Sequence, residues 1–95
     1  MSDSIDDAWR CFLNFIGKMK SIEKLDEAFG LFLTCEERKA IADRYNIVKE
    51  LLKEEKTQRV IAEDLQVSIA KITRGSNSLK TISEKQKKLL KKMMF

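Results

Sequence analysis

The sequence has no proline in 95 residues and only three glycines, Gly17, Gly30 and Gly75. Proline and glycine are the residues that most often interrupt regular structure, so long uninterrupted elements are permitted. Apolar residues recur at three- and four-residue spacing, and no segment shows the strict alternation of a half-buried strand. The chain is therefore predicted to be all-α.

Hydroxyl residues that can cap helix N-termini divide the chain into predicted helices. The candidate caps are Ser4, Thr34, Thr57, Ser68 and Ser83. Thr34 and Ser83 are followed three residues later by Glu37 and Gln86, which is the spacing of a capping box. We predict one domain, 1–95, with helices over about 5–55, a two-helix segment over about 57–80 and a C-terminal helix over about 83–95.

The first predicted helix is unusually apolar, since Cys11-Phe12-Leu13 and Phe15-Ile16 are separated only by Asn14. A helix with one buried stripe carries fewer apolar residues. Two explanations stay open: the helix contacts a partner, most simply in a homodimer, or it carries a wide stripe that faces the core. A domain of 95 residues buries a modest share of its surface, which favours dimerisation.

Several classes of protein and site are disfavoured. Cys11 and Cys35 are isolated, so we expect reduced thiols and no metal site. The chain has no histidine and no converging carboxylates, which makes an enzyme the weakest alternative. No apolar run approaches the roughly 20 residues of a membrane span, and the N-terminus lacks the features of a secretory signal. We therefore expect a cytoplasmic protein without membrane contact.

Charge is distributed unevenly along the chain. Residues 1–55 carry 9 basic and 12 acidic residues, a net −3, whereas residues 56–95 carry 10 and 3, a net +7. A basic half of this kind indicates a polyanionic partner such as DNA. The lysines of 85–92 could also be only the solvated face of the last helix.

The segment from Thr57 to Leu79 has the features of a helix-turn-helix motif. Ala62 is small enough for a second helix to cross close by, and four apolar residues can join the helices: Ile61, Leu65, Val67 and Ile72. In such motifs the N-terminal part of the second helix meets base edges and phosphates. The predicted DNA contacts are Gln58, Arg59, Ser68, Ile69, Ala70, Lys71, Thr73, Asn77 and Lys80.

Gly75 lies inside the predicted second helix, where glycine costs about 0.8–1.0 kcal/mol relative to alanine. One interpretation is a helix that ends or is flexible at this point. The other is an open slot filled by a ligand. Arg74 lies beside the slot and Ser78 lies three residues on, so a flat apolar ligand with a charged end would suit it.

Residues 72–80, ITRGSNSLK, resemble the signature of the bacterial trp operon repressor family. The order and spacing of upstream residues are similar too: Leu31-Phe32-Leu33-Thr34, Glu37-Arg38, Arg44, Ile47-Val48, Glu50-Leu51-Leu52 and Gln58-Arg59, with Trp9 in the first helix. The resemblance covers about residues 5–82.

The resemblance implies a six-helix intertwined homodimer with a helix-turn-helix motif, which binds L-tryptophan as corepressor and then operator DNA. It implies that Arg44 and Arg74 sandwich the indole and that Arg74 also meets the carboxylate. It further implies that the ring lies against Gly75 and that Ser78 lies near the polar end of the ligand. Leu31, Leu33 and Thr34 of the other subunit would present backbone carbonyls to the ammonium. No metal is implied. The implied role is repression, in the presence of tryptophan, of genes for tryptophan biosynthesis.

This sequence departs from the family pattern at several positions. Lys71 replaces a small threonine, Gln66 and Ser68 replace glycines of the turn, and Lys56 and Ala62 also differ. These positions bear on the operator sequence and on ligand affinity. Two other functions stay open: a ligand-independent helix-turn-helix regulator of the same fold, and a protein–protein adaptor that uses the apolar first helix.

Overall fold

The computed structural model describes residues 4–95, and these residues form six helices and no strand. The helices are α1 (Ile5–Ile16), α2 (Ile22–Phe32), α3 (Cys35–Lys53), α4 (Gln58–Leu65), α5 (Ile69–Leu79) and α6 (Glu84–Met94). The all-α prediction is confirmed for this part of the chain. None of the helices described combines the length and the apolar character needed to cross a membrane.

Local hydrogen bonds explain where the helices begin. The Oγ of Ser4 accepts the amide N–H of Asp7, and Ser83 with Gln86 forms the reciprocal capping box that the sequence predicts. Thr57 and Ser68 cap α4 and α5 in the same way, and α3 begins directly after Thr34. Each cap satisfies one of the amide groups that a helix N-terminus leaves without an intrahelical acceptor.

Two helices end at residues with left-handed backbone. Glu54, directly after α3, has φ of 57°, and Gln66, directly after α4, has φ of 56° and ψ of 46°. The N–H of Val67 then donates to the carbonyl of Ala62, which closes the turn. Glycine is the residue that adopts this conformation without steric cost, so Gln66 occupies a glycine-type position.

The chain forms two compact units, up to Glu36 and from Glu37 to Phe95. In the first unit, aromatic rings join α1 and α2: the Phe12 centroid lies 5.4 Å from Phe32 and 6.0 Å from Phe29, and Phe15 lies 5.8 Å from Phe32. The thiols of Cys11 and Cys35 are free, as predicted.

This packing leaves much of α1 uncovered within the chain. Ile5, Trp9 and Leu13 are 82%, 58% and 48% exposed. The structure describes every residue of α1, and none of them is fully buried. Within its own unit α1 therefore leaves several large apolar side chains exposed, and both explanations of its apolar character stay open.

The core of the second unit is formed by Ile47 of α3, Ile61 of α4 and Ile72 of α5. Ile61 and Ile72 are completely buried. Four further residues pack around them: Leu51, Ala62, Leu65 and Val67. The residues that the sequence predicts to join α4 and α5 thus lie in or against this core. The same contacts fix both helices on α3.

Candidate ligand cavity and nucleic-acid surface

A cavity of about 140 Å³ lies between α3 and α5 in the second unit. Its lining consists of Ala40, Asp43, Arg44, Ile47, Lys71 and Arg74. For comparison, an engineered apolar cavity of about 150 Å³ accepts benzene, so this space suits a group of about one small ring system. Both arginines that the sequence predicts to bind a ligand therefore border one cavity.

Helical spacing brings these residues to the same place. On α3, Ala40, Asp43, Arg44 and Ile47 follow at intervals of three and four residues and share one side of the helix. Lys71 and Arg74 lie one turn apart on the facing side of α5. Ala40 and Ile47 supply apolar surface, and the remaining lining residues are charged. The cavity therefore suits a ligand with an apolar body and a charged group.

Positive charge dominates the lining, because Arg44, Arg74 and Lys71 face a single carboxylate, Asp43. Asp43 is paired with a lysine that does not line the cavity, since its Oδ2 lies 3.0 Å from Nζ of Lys39. The same oxygen lies 3.6 Å from Nζ of Lys71, which does line it. The hydrogen bond from Lys39, with smaller contributions from Lys71, holds the pKa of Asp43 below its usual value of 3.8. Asp43 is therefore ionised at neutral pH, and the cavity favours an anionic group.

Gly75 lies one turn beyond Lys71 and is buried against α3. A Cβ added to it would lie 2.7 Å from Cγ2 of Ile47 and 3.4 Å from Cδ1 of Leu51. The predicted space next to the glycine is therefore filled by Ile47, and the cavity opens nearer the N-terminus of α5. The interpretation that the helix ends at Gly75 is wrong, since α5 continues to Leu79.

The other predicted ligand residues lie in different places. Ser78 is exposed and follows Lys71 and Arg74 along the same side of α5, although it does not line the cavity. Leu31, Leu33 and Thr34 belong to the first unit, at the end of α2 and before α3; Leu31 is 76% exposed and Leu33 is half-buried. The resemblance assigns these three to the partner chain's cavity, and that role stays a prediction.

The nine predicted DNA contacts are all exposed. Gln58 and Arg59 form the first turn of α4, and the others follow from Ser68 to Lys80. On α5, Ile69, Thr73 and Asn77 recur at four-residue intervals on a side of the helix that avoids the buried stripe of Ile72 and Gly75. Each of the nine residues is therefore accessible to a partner, and Ile69, Thr73 and Asn77 share one side of α5.

Local hydrogen bonds limit what two of the hydroxyl groups can do. The Oγ of Ser68 accepts the amide of Lys71, which leaves the hydroxyl hydrogen available to donate to an anion. The Oγ1 of Thr73 donates to the carbonyl of Ile69 at 3.1 Å. A phosphate could be bound by the Thr73 hydroxyl only if that bond were broken, so Ser68 is the better donor.

Sequence reasoning missed Asp43 and Ala40 as lining residues. Arg44 was expected in the ligand site because of the family resemblance, whereas its neighbour Asp43 was not singled out. The available signal was spacing: Asp43 lies one turn before Ile47 and one turn after Lys39. Its pairing with Lys71 on another helix could not be read from that spacing.

Comparison with known proteins gives consistent matches along the chain. A sequence model of the family described as Trp repressor protein matches residues 7–94. The chain is 46% identical over 92 residues to a Trp operon repressor homolog of Chlamydia trachomatis serovar D, covering 97% of this chain and 98% of that protein. It is 47% identical over 91 residues to the homolog of Chlamydia caviae, covering 96% and 90%.

A more distant bacterial relative matches over nearly the same length. The chain is 40% identical over 87 residues to a Trp operon repressor homolog of Vibrio cholerae, covering 92% of this chain and 84% of that protein. The resemblance inferred from ITRGSNSLK and the upstream residues is thereby confirmed. The chain belongs to the Trp repressor family, a family of transcriptional repressors.

Proposed function

We propose that this protein is a tryptophan-activated repressor of transcription. L-tryptophan binds as corepressor in the α3–α5 cavity and favours the orientation of α5 that reads operator DNA. The genes controlled are those of tryptophan biosynthesis, and the repressor acts in the cytoplasm, where the DNA is. We infer the ligand and the controlled genes from the family and from the names of the relatives. We infer the mechanism from the position of the cavity between α3 and α5.

One observation carries the proposal: α5 borders the cavity and also carries five of the nine predicted DNA contacts. Lys71 and Arg74 of α5 border the cavity. Ile69, Thr73 and Asn77 of the same helix are exposed to solvent and do not line the cavity. The cavity's other wall is α3, which is anchored in the core through Ile47. A ligand that contacts both walls therefore favours one position of α5 relative to α3, which is how a ligand shifts a two-state equilibrium.

The charges and shapes in the cavity suit tryptophan. Guanidinium groups stack on flat aromatic faces, and Arg44 and Arg74 border the same space. The surplus of positive charge favours the carboxylate of an amino acid. In the proposed homodimer, Leu31, Leu33 and Thr34 of the other subunit close the site, with Gly75 and Ser78 at its edge.

The homodimer is supported by apolar side chains that the single chain leaves exposed. Besides those of α1, these include Leu31 and Ile41, which are 76% and 55% exposed, and Met93 and Phe95 of α6, which are 75% and 57% exposed. Burial of such surface is worth about 25 cal/mol per Å². In an intertwined dimer, two copies of α5 would enter successive major grooves about one helical turn apart.

The test uses DNA selected by the protein itself. A random duplex library is selected with and without saturating L-tryptophan, and affinity for the selected duplex is then measured by fluorescence anisotropy. We expect L-tryptophan to increase affinity at least tenfold. Sedimentation equilibrium of the same sample should give a dimer. A duplex affinity that L-tryptophan does not change would reject the corepressor role.

Two variants separate the cavity from the DNA surface. Arg74→Ala should weaken tryptophan binding measured by calorimetry without DNA. Arg59→Ala should leave tryptophan binding at the wild-type level and weaken DNA binding. If Arg59→Ala also lost tryptophan binding, the assignment of separate surfaces would be wrong.

A second candidate is a regulator that binds DNA without a ligand. The ion pair between Lys71 and Asp43 already links α5 to α3 without tryptophan. An exposed pair of this kind contributes little to stability, so we favour the ligand-dependent mechanism. Equal selection of duplexes with and without L-tryptophan would favour this alternative.

A further inference from the structure

We propose that Asp43 recognises the ring of the ligand, and that its Oδ1 accepts a hydrogen bond from an N–H at the edge of that ring. The cavity therefore binds indole in preference to a ring of the same shape that lacks the donor. This role of Asp43 rests on the proposed function, because it adds a contact for the ligand of the same cavity.

The two carboxylate oxygens of Asp43 have different surroundings. Oδ2 accepts a hydrogen bond from Nζ of Lys39 at 3.0 Å and lies 3.6 Å from Nζ of Lys71. Within residues 4–95, no group donates a hydrogen bond to Oδ1. The side chain is only 20% exposed, yet Oδ1 is not enclosed by the protein, so a donor on a ligand can reach it. Asp43 therefore has a free acceptor in the wall of the cavity.

Asp43 lies at the end of the cavity nearer the N-terminus of α5. It pairs with Lys71, the third residue of α5, whereas Arg74 lies about 4.5 Å further along the helix axis. The charge of Lys71 is offset by Asp43, but no carboxylate within residues 4–95 pairs with Arg74.

These charges orient an amino-acid ligand in the cavity. Its carboxylate is repelled by Asp43 and attracted to the guanidinium of Arg74, because like charges repel and opposite charges attract. The carboxylate of the ligand therefore lies toward Arg74, and the ring edge lies toward Asp43.

A ring that covers Oδ1 removes this carboxylate oxygen from water. A ring N–H replaces the hydrogen bond that water provided, whereas a ring without a donor leaves the acceptor unsatisfied. A site with such a polar group rejects an analogue that lacks the donor more strongly than an apolar pocket rejects the loss of a methylene. The indole N–H only donates, so it matches an ionised carboxylate, which only accepts.

The experiment compares two ligands by calorimetry on the full chain without DNA. L-tryptophan has the ring N–H, and 3-(benzothiophen-3-yl)-L-alanine has sulfur in its place; both have the same ammonium and carboxylate. The readout is the ratio of the two dissociation constants. We expect the wild type to bind L-tryptophan about tenfold more tightly or better, the usual effect of a hydrogen bond to a charged group.

Variants of Asp43 test whether this residue causes the preference. Asp43→Leu removes the acceptor and should bring the ratio close to one. It should also bind the sulfur analogue more tightly than the wild type does, whereas damage to the fold would weaken both ligands. Asp43→Asn keeps an oxygen acceptor without the charge and should give an intermediate ratio, which provides a second test if Asp43→Leu does not fold.

Asp64→Leu is the matched control. It also removes an aspartate that pairs with a lysine, since Oδ2 of Asp64 lies 2.7 Å from Nζ of Lys56, but Asp64 does not line the cavity. Its ratio should equal that of the wild type. A ratio that falls as much in Asp64→Leu as in Asp43→Leu would overturn the specific role of Asp43.

The remaining outcomes separate the role of Asp43 from the proposed function. If the wild type binds L-tryptophan with a ratio near one, or if both variants of Asp43 keep the wild-type ratio, Asp43 does not recognise the ring and the corepressor proposal stands. If the wild type binds neither ligand, both proposals are rejected.

Discussion

The Cγ2 methyl of Ile47 lies 2.7 Å from the point at which a Cβ on Gly75 would stand. α5 therefore packs against α3 through a glycine, and a branched side chain from α3 fills the space beside it. Cγ2 is attached directly to the Cβ of Ile47, so this methyl cannot move aside as the end of a long side chain can. The position of α5, which borders the cavity, depends on this contact.

Gly75→Ala should therefore destabilise the protein, although alanine is the better helix former. We expect a net loss of up to about 2 kcal/mol, because overpacking costs about 1–3 kcal/mol and the gain in helix propensity offsets about 1 kcal/mol. Urea unfolding would measure the change. The matched control is Gly30→Ala in α2, where an added Cβ meets nothing within 4 Å; it should stabilise the protein by up to about 1 kcal/mol.

The contact with Ile47 can be tested by a double-mutant cycle. Ile47→Ala removes Cγ2 and should cost about 2–5 kcal/mol by itself. Combined with Gly75→Ala, the total loss should be smaller than the sum of the two single losses, because the added Cβ then has space. Strict additivity would show that Gly75→Ala acts through some other contact.

Gln66→Gly should stabilise the protein. Gln66 has φ of 56°, a left-handed conformation that costs a non-glycine residue about 1 kcal/mol, and part of this gain is offset by the greater entropy of glycine in the unfolded chain. We expect a gain of about 0.5–1 kcal/mol in urea unfolding. Ser68→Gly, at the other end of the turn with φ of −70°, is the comparison; it loses a cap and should cost a few tenths of a kcal/mol. Equal effects of the two glycines would contradict this account.

Arg59→Ala and Lys80→Ala should each reduce the salt dependence of DNA binding. Both residues are exposed at predicted DNA contacts, and each neutralised phosphate adds about 0.9 to the slope of log K against log salt. Anisotropy titrations at several salt concentrations would measure the slope. Lys24→Ala, in α2, is the control and should not change it. A decrease in affinity at constant slope would mean that the residue acts other than by a phosphate contact.

Binding of L-tryptophan should be independent of pH between about 6 and 8. The pKa of Asp43 is lowered below 3.8, so its ion pairs stabilise the folded protein at and above that pH and are lost only as pH falls through the lowered pKa. The chain has no histidine, the side chain whose ordinary pKa lies in this range. Calorimetry at three pH values would check this. A change in ligand affinity with a midpoint near pH 7 would contradict this prediction, because it would require a group that titrates near that pH.

Much of the local structure followed from residues that are near one another in the sequence. Ser4, Thr57, Ser68 and Ser83 cap the helices as predicted, since a cap needs only a hydroxyl and an amide three residues away. Ile61 and Ile72 could be placed in the core from helical periodicity. Arg44 and Arg74 were identified from the family resemblance, which rests on ITRGSNSLK and the residues upstream of it.

The tertiary structure decided which of these residues meet. The pairing of Asp43 with Lys71 and the contact of Ile47 with Gly75 both depend on how closely α3 and α5 approach and at what register. Periodicity gives the side of a helix on which a residue lies, but it does not give the residue of another helix that faces it. The sequence by itself therefore determined the helices, the family and the two arginines. Only the packing of α5 on α3 determined that Ile47 occupies the space beside Gly75, and that the cavity lies beside Lys71 and Asp43.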